Sequence, residues 1–410
     1  MNNMKKPKIR FKGFTDDWEQ RKLSDEFSDF IVPMRDKPKE FGGNVPWTRI
    51  EDIEGKYLNG TLSDQYVTEE TVKKMNLKII PRDSLIVSSS ATFGVVAVVT
   101  RDLITNQTFI GLVPNEKETL DYWYAYFYSD EARKYMKLQS AGSTIFYISR
   151  ESFEIMPIAV PSKAEMMKIG ACFDNLDNLI TLHQRKYEKL QIIKKSMLEN
   201  CFPKNGEKVP KIRFSGFTGD WEQRKLGELG KARSGIGFPD AEQGGKEGVP
   251  FYKVSDMNNV GNEHEMVAAN NHVTREQIAR KGWKPIDEVP AIFFAKVGAA
   301  VLLNRKRLCR FPFLLDNNTM AYSIDGSALD ADFAITLFDT IDLTSLVQVG
   351  ALPSYNSGDV ENIDVVIPEM GEQRKIGAYF KRINSLITLH QSELEKLQKI
   401  KKSLLERMFV

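Results

Sequence analysis

In two long stretches of the chain, mostly apolar residues recur at alternating spacings of three and four residues. In the first stretch these positions are Met166, Ile169, Phe173, Leu176, Ile180, His183, Tyr187, Leu190, Lys194, Met197 and Cys201. In the second stretch they are Gln373, Ile376, Phe380, Ile383, Ile387, His390, Leu394, Leu397, Lys401, Leu404 and Met408. This spacing is the a/d pattern of a coiled coil and predicts two long, paired helices. The polar positions His183 and Lys194 recur as His390 and Lys401, and we predict that these four residues fix the register, because slipping would bury them against apolar partners.

Shorter patterns precede each of these helices. Runs of β-branched and apolar residues between turn residues predict strands at 84–87, 94–100, 291–295 and 299–303. Helical spacing predicts helices over 121–138 and 330–339. The aromatic residues Trp123, Tyr126 and Phe127 on the first of these helices are expected to belong to a core. The mixture predicts the α+β fold class for both globular segments.

The chain is an internal duplication. Residues 7–23 recur at 210–226 with differences only at Lys12/Ser215 and Asp16/Gly219. Residues 161–202 likewise recur at 368–409, sharing the strings KIGA, LITLHQ, EKLQ and IKKS in the same order. The segments between these anchors diverge strongly. A repeat of this kind indicates two domains that do one job on two different targets.

The duplication sets the expected domain boundaries. These are a first globular domain at 1–160, a central helix at 161–202, a linker at 203–209, a second globular domain at 210–367 and a C-terminal helix at 368–410. The first helix ends where the second globular segment begins, and the second helix begins where that segment ends. Because the ends of a domain often lie close together, the two helices are expected to run antiparallel in a pseudo-two-fold, circular arrangement.

Composition restricts the possible functions. Lys plus Arg (57) nearly balance Asp plus Glu (55) in 410 residues, a formal net charge of +2. A general polyanion binder is usually far more basic, so any contact with a nucleic acid must be local. The densest basic cluster, a candidate for such a contact, is Lys296, Arg305, Lys306, Arg307 and Arg310.

Sequence signals for catalysis are missing. The chain has three widely spaced cysteines and four histidines, without the spacing of a disulfide framework or a metal site. It has no GxxxxGK[ST] phosphate loop and no Pro-Pro pair of the kind found in the base-binding motif of amino-methyltransferases. A catalytic nuclease or methyltransferase is therefore disfavoured, and we expect no metal or cofactor in this chain. The absence of a signal peptide and of a long apolar run favours a cytoplasmic protein with no membrane association.

Several repeated passages resemble one known family. They are the two openings PKIRFxGFTxDWEQRKL, the passages IAVPSKAEMMKIGACF and VVIPEMGEQRKIGAYF, and the LITLHQ…EKLQ…IKKS helices. Together they resemble the specificity (S) subunit of type I restriction-modification systems, most closely those of Gram-positive bacteria. The first copy has Glu165-Met166 where the family usually has Glu-Gln, which the second copy retains.

The resemblance implies a noncatalytic subunit with two target recognition domains, each of which reads one half of an asymmetric, bipartite double-stranded DNA site. It implies that the helices set the spacer and dock two modification subunits, which methylate adenine with S-adenosylmethionine. Restriction subunits would supply the ATP- and Mg-dependent motor and nuclease. A 36-residue helix is about 54 Å long, roughly one and a half DNA turns, which suits such a spacing role.

The resemblance also points to loops that contact DNA. In the first domain the candidates are Thr48, Arg49, Ser88, Ser89, Ser90, Thr92, Gly142, Ser143, Thr144 and Tyr147. In the second domain they are Lys253, Lys296, Gly298, Ser354, Tyr355 and Asn356, beside the basic residues Arg305, Lys306 and Arg307. Side chains of these types position phosphates or pair with base edges. The alternative left open by the near-neutral charge is a coiled-coil protein-interaction adaptor without sequence-specific DNA binding.

Overall fold

The computed structural model describes residues 6–33, 37–89, 94–140, 147–204, 206–347 and 353–410. It contains two compact units. One comprises Met1–His183 together with Glu393–Val410, and the other comprises Gln184–Ser392. Each unit therefore combines one globular domain with part of both long helices, whereas the sequence-based boundaries treat the helices as separate segments.

The strands of the first unit form three small sheets. They are β1 (Glu19–Lys22), β2 (Phe27–Ile31), β3 (Val45–Thr48), β4 (Tyr57–Leu58), β5 (Tyr66–Val67), β6 (Ser84–Ser88), β7 (Val96–Val99), β8 (Ile104–Thr105), β9 (Phe109–Pro114) and β10 (Pro157–Val160). The strand orders are β2-β9-β6-β7-β4, β5-β3-β8 and β1-β10. The last pair joins the repeated opening antiparallel to the strand that leads into the first long helix.

The helices of the first domain are short, and the long helix follows them. They are α1 (Glu69–Lys74), α2 (Leu120–Tyr128), α3 (Asp130–Gln139), α4 (Arg150–Glu154) and α5 (Lys163–Cys201). The central sheet is covered on both faces: Leu85 and Val87 face the main core with Trp123, whereas Ile86 belongs to a second cluster with Phe109. This two-sided burial explains why β6 is a continuous apolar run.

The second unit repeats the first. Its strands are β11 (Glu222–Lys225), β12 (Gly230–Ser234), β13 (Val249–Tyr252), β14 (His272–Val273), β15 (Ala291–Ala295), β16 (Lys306–Cys309), β17 (Leu314–Leu315), β18 (Thr319–Ile324) and β19 (Asp364–Ile367). The sheet orders are β12-β18-β15-β16, β14-β13-β17 and β11-β19. Each corresponds to a sheet of the first unit, although the central sheet has four strands rather than five, because an isolated bridge between Glu265 and Leu308 stands where the first unit has β4. Apart from this edge, the two globular segments share one strand order although their sequences have diverged.

The helices of the second unit complete the repeat. They are α6 (Leu226–Leu229), α7 (Arg275–Lys281), α8 (Ala331–Thr340), α9 (Ser357–Glu361) and α10 (Met370–Arg407). The α+β fold class with two globular domains and two long helices is confirmed.

The two long helices pair antiparallel, as predicted. In the first unit Phe173, near the start of α5, stacks on Phe409 beyond the end of α10, with ring centroids 5.8 Å apart. In the second unit the ring centroid of Phe202, beyond the end of α5, lies 6.3 Å from that of Phe380 near the start of α10. All the seam positions predicted from the sequence are buried or half-buried. The C-terminal residues thus return to the unit that contains the N-terminal domain.

Two local predictions were wrong. Residues 299–303 form a 3₁₀ turn, and the following strand is β16; Gly298, at φ 82°, redirects the chain, so that Val301 is buried while Leu302 is exposed. The single helix expected over 121–138 is broken into α2 and α3, because Ser129 is extended and its hydroxyl accepts a hydrogen bond from the Ala132 N–H at the start of α3. The aromatic residues of α2 are core, as expected.

Within the part of the chain that the structure describes, none of the helices is long and apolar enough to cross a membrane.

Candidate nucleic-acid interface

The first candidate loop follows strand β3. Thr48 is buried, and its hydroxyl donates to the carbonyl oxygen of Ile104 at 3.1 Å. Arg49 has its backbone N–H fixed by Asp52 Oδ2 at 2.7 Å, and its guanidinium lies 5.7 Å from the Trp47 ring centroid. Thr48 therefore positions the turn, while the half-buried Arg49 side chain is the group that offers hydrogen-bond donors.

The equivalent turn of the second domain has the same construction. Lys253 follows strand β13, and its backbone N–H donates to Asp256 Oδ2 at 2.7 Å. Its ammonium donates to Gln243 Oε1 at 2.6 Å and lies 5.6 Å from the Phe238 ring centroid. Both domains thus place a cation next to an aromatic ring at one corner of the smaller sheet, although the residue types differ.

Two of the predicted loops of the second domain meet at the end of β15. Gly298 donates its N–H to the Pro353 carbonyl at 2.9 Å, and Val297 forms an isolated β-bridge with Ser354. The Tyr355 hydroxyl donates to the Ala295 carbonyl at 2.6 Å. Burial raises the pKa of Tyr355, so this phenol holds the two loops together as a neutral donor.

The neighbouring candidates of the second domain differ in exposure. Lys296 is half-buried. Asn356 is exposed, and its side chain caps α9 by accepting from the Asp359 N–H at 3.1 Å. Lys296 therefore keeps its side chain partly accessible, whereas the amide oxygen of Asn356 is used within the fold.

The matching loops of the first domain meet in the same way. Ile148 corresponds to Tyr355, because each directly precedes the residue that caps the next helix, Ser149 for α4 and Asn356 for α9. Ile148 donates its N–H to the Ser89 carbonyl at 2.8 Å. Ser88 and Ser89 are buried, and the Ser89 hydroxyl donates to the Thr108 carbonyl oxygen at 3.2 Å. Tyr147 is exposed at the edge of this junction. The remaining candidates lie outside the described residues: Ser90, Thr92, Gly142, Ser143 and Thr144.

The basic cluster of the second domain does not form one exposed patch, which corrects the expectation from the sequence. Lys306 is only 5% exposed, and its ammonium donates to the Ile341 carbonyl at 2.6 Å. Burial lowers the pKa of Lys306 to about 8. Arg307 donates to the Asn262 carbonyl, and Arg305 donates to Asn258 Oδ1 at 2.8 Å. Protein acceptors thus already engage these groups, and the buried Lys306 ammonium is not exposed for a contact with DNA.

The two lysines of the helical seam have acidic partners in different elements. Lys401 on α10 pairs with Asp177 on α5, a contact between the two helices that suits a register role. Lys194 on α5 instead pairs at 3.0 Å with Asp339 on α8 of the second domain. His183 and His390 are half-buried in the seam.

Sequence reasoning missed a buried ion pair that occurs in both units. Arg10 of the first repeated opening binds the fully buried carboxylate of Glu165 at the start of α5 through two hydrogen bonds of 2.7 Å. Arg213 binds Glu372 at the start of α10 in the same way, at 2.8 Å. The repetition of both residue types was the available signal. The pair joins each repeated opening to its long helix.

No cluster of His, Cys, Asp and Glu with the geometry of a metal site occurs among the described residues.

Comparisons with known proteins agree on one family. The family described as the type I restriction modification DNA specificity domain matches residues 15–191 and 218–399. The MjaIX type I restriction enzyme specificity subunit of Methanocaldococcus jannaschii is 25% identical over 409 residues, covering 96% of this chain and 92% of the relative. The MjaVIII specificity subunit of the same organism is 24% identical, covering 92% of this chain and 90% of the relative.

The fold also matches a solved structure. The crystal structure of the S subunit of a type I restriction-modification system from M. genitalium superposes with a TM-score of 0.64 at 14% identity, covering 99% of both chains. At this identity the likeness concerns the fold.

Proposed function

Because this chain belongs to the family of type I restriction-modification DNA specificity domains and is a specificity subunit with two target recognition domains, we propose that each domain reads one half of an asymmetric, bipartite DNA site. One observation carries the proposal. In both domains the same two loops meet at the end of the central strand, Ser89 with Ile148 in one domain and Gly298 with Pro353 in the other. One scaffold thus presents different side chains in each half, which suits two readers of different sequences.

We propose that Arg49 and Lys253 contact DNA in equivalent places. Each begins a turn that is fixed by an aspartate three residues later. Arginine paired with guanine is the commonest specific contact in the major groove, whereas a lysine supplies a compact charge for a base edge or a phosphate. The residue difference between the two turns therefore fits a difference between the two half-sites.

The partners and the chemistry are part of the proposal. We propose that two modification subunits bind the helices and methylate adenine with S-adenosylmethionine, and that restriction subunits supply the ATP- and Mg-dependent steps on double-stranded DNA in the cytoplasm. This chain would contribute recognition and spacing without a catalytic residue. The length of α5, 39 residues or about 58 Å, supports the spacing role. Nothing in the comparisons supports the alternative of an interaction adaptor without DNA specificity.

A selection experiment tests the proposal. The complex of this chain with its modification subunits is used to capture duplexes from a random DNA pool. We expect enrichment of two short motifs at a fixed separation. Capture without any sequence preference, at several salt concentrations, would contradict the proposed function, because contacts with phosphates alone carry no sequence information.

Substitution of Arg49 by alanine is expected to weaken binding of the selected site by about 10-fold and to relax the base preference in one half-site only, since one good base contact contributes about 1–3 kcal/mol of discrimination. Lys253→Ala is expected to affect only the other half-site. Binding curves on site variants measure both effects. Arg21→Ala is the control, because Arg21 is an exposed arginine held by Glu19 and Glu26; relaxation of both halves by one substitution would refute the assignment.

A further inference from the structure

The long helices share repeated strings of sequence but carry different charges where they face the globular domains. Gly170 and Gly377 define equivalent positions: a Cβ atom would lie 2.7 Å from the Tyr122 backbone nitrogen in one unit and 2.5 Å from the Phe333 nitrogen in the other. Counting four residues onward from each glycine pairs Asp174 with its counterpart on α10, and that counterpart is a lysine. The charge of the helix surface is therefore reversed between the units at this position.

In the first unit an acidic helix surface receives a cation from the domain. The ammonium of Lys56 donates to Asp121 Oδ1 at 2.6 Å and also to Asp174 on α5, and the lysine side chain is 8% exposed. Burial acts to lower the pKa of Lys56, but the hydrogen bonds to both carboxylates outweigh it and raise this pKa. Lys56 is therefore held charged between a domain helix and a long helix.

One turn further along, the same unit uses a cation from the other long helix. Lys401 pairs with Asp177 of α5, and its ammonium lies 5.4 Å from the ring centroid of Tyr128 on the domain helix α2. In this unit the domain therefore presents Lys56 and Asp121 beside Asp174, and the neutral ring of Tyr128 beside Lys401.

In the second unit a basic helix surface receives acids from the domain. Lys381, the counterpart of Asp174, lies 3.2 Å from Asp332 at the start of α8, and Arg310 of the domain binds the same carboxylate. Lys194 lies 3.0 Å from Asp339, which occupies the place of Tyr128. The counterpart of Asp177 is the uncharged Asn384, whose buried Oδ1 has no hydrogen-bond partner.

We propose that these complementary charges restrict each recognition domain to its own seat, the surface of the long helices around Asp174 and Asp177 for the first domain and around Lys381 and Asn384 for the second. The two domains are then not interchangeable within the chain. Asp332 is the counterpart of Asp121, which already lies beside Asp174 in the natural chain. In exchanged positions, the added acid would therefore be Asp339, in the place of Tyr128 and close to the pair of Asp177 with Lys401. In the other unit Lys56 would face Lys381. Like charges repel each other most where burial limits screening by water, as at Lys56, whose side chain is 8% exposed; Lys381 is exposed and contributes less. Repulsion of the wrong partner is a common source of binding specificity.

The seating has a consequence for the DNA target, which rests on the proposed function. If each domain has one seat, the order of the two half-sites is fixed by the helices as well as by the order of the domains along the chain. Exchange of the domains then requires exchange of the helix charges.

Two full-length exchanged chains test the proposal. In the first, residues 24–160 and 227–367 trade places. The second exchanged chain carries four further substitutions that exchange the helix side chains between the two units: Asp174→Lys, Asp177→Asn, Lys381→Asp and Asn384→Asp. Thermal unfolding of the purified chains without DNA is measured. We expect the first exchanged chain to unfold about 5 °C or more below the natural chain and the second to recover at least half of that loss. Equal unfolding temperatures for the two exchanged chains would overturn the proposal.

Should neither exchanged chain fold, the natural chain decides the question. Asp174→Lys places a second cation against Lys56 and is expected to lower the unfolding temperature by about 3–6 °C. Glu188→Lys makes the same charge change at an exposed position of α5 and serves as the matched control. An equal loss in both variants would overturn the proposal. Because DNA is absent from these measurements, a failure of DNA recognition would count against the proposed function alone.

Discussion

Replacement of Arg10 by methionine is expected to destabilise the first unit by roughly 3–5 kcal/mol, the usual loss when one partner of a buried ion pair is removed. Glu165 is fully buried, and the Arg10 guanidinium is the group that binds both of its carboxylate oxygens. Without that cation the carboxylate would remain in a site without solvent. Denaturant unfolding of the full chain measures the change.

Two further variants make this prediction specific. The double variant Arg10→Met with Glu165→Met is expected to recover much of the loss, since replacing both charges by apolar groups removes the buried, unpaired carboxylate. Arg21→Met is the control, because Arg21 forms ion pairs at an exposed position, where such pairs contribute little. A loss from Arg10→Met no larger than that from Arg21→Met would show that the pair does not hold the repeated opening on its helix.

Substitution of Gly377 by valine is expected to lower the free energy of unfolding by about 3 kcal/mol or more and to disrupt the packing of α8 against α10. A Cβ atom at this position would lie 2.5 Å from the Phe333 nitrogen and 2.8 Å from the Asp332 carbonyl carbon. Both are backbone atoms at the start of a helix, so they cannot move aside as a flexible side chain would. Valine also gains little in helix propensity over glycine, which leaves the clash uncompensated.

The control for this substitution lies on the same helix. At Gly371 the nearest atoms to an added Cβ are side-chain atoms at 3.4 Å and 3.6 Å, which is ordinary contact. Gly371→Val is therefore expected to change the free energy of unfolding by less than about 1 kcal/mol. Comparable losses at the two glycines would refute the close approach of α8 to α10.

The sequence predicts the helix pair and the duplication well, and each for a physical reason. An a/d pattern that continues from Met166 to Cys201 is compatible with few structures other than a long helix with one face covered by a partner. The repeated openings reveal two equivalent units without any knowledge of their folds.

Local elements were harder to predict where one residue decides the backbone. The apolar run 299–303 has the composition of a strand, but Gly298 at positive φ and the turn that follows make it a 3₁₀ segment. The break between α2 and α3 depends on the conformation of Ser129, which the helical spacing of its neighbours does not indicate.

The chemistry of the candidate site was predictable only at the level of loops. The junction between the loops of Gly298 and Ser354 is present, yet the adjacent basic run contains Lys306, which is buried on a backbone carbonyl. Residue type alone does not distinguish a lysine that faces solvent from one that satisfies an acceptor in the interior. The pairing of Arg10 with Glu165 joins residues 155 positions apart; the duplication repeats both residue types but does not indicate that they are partners.

The central claim is that two independent recognition domains each read one half of the DNA site. It is tested most directly by exchanging residues 24–160 for the equivalent segment of a related subunit and mapping methylated adenines across the genome of cells that carry the assembled system. We expect one half of the methylated motif to change and the other half, together with the spacer, to stay as it was. A change in both halves would contradict the account.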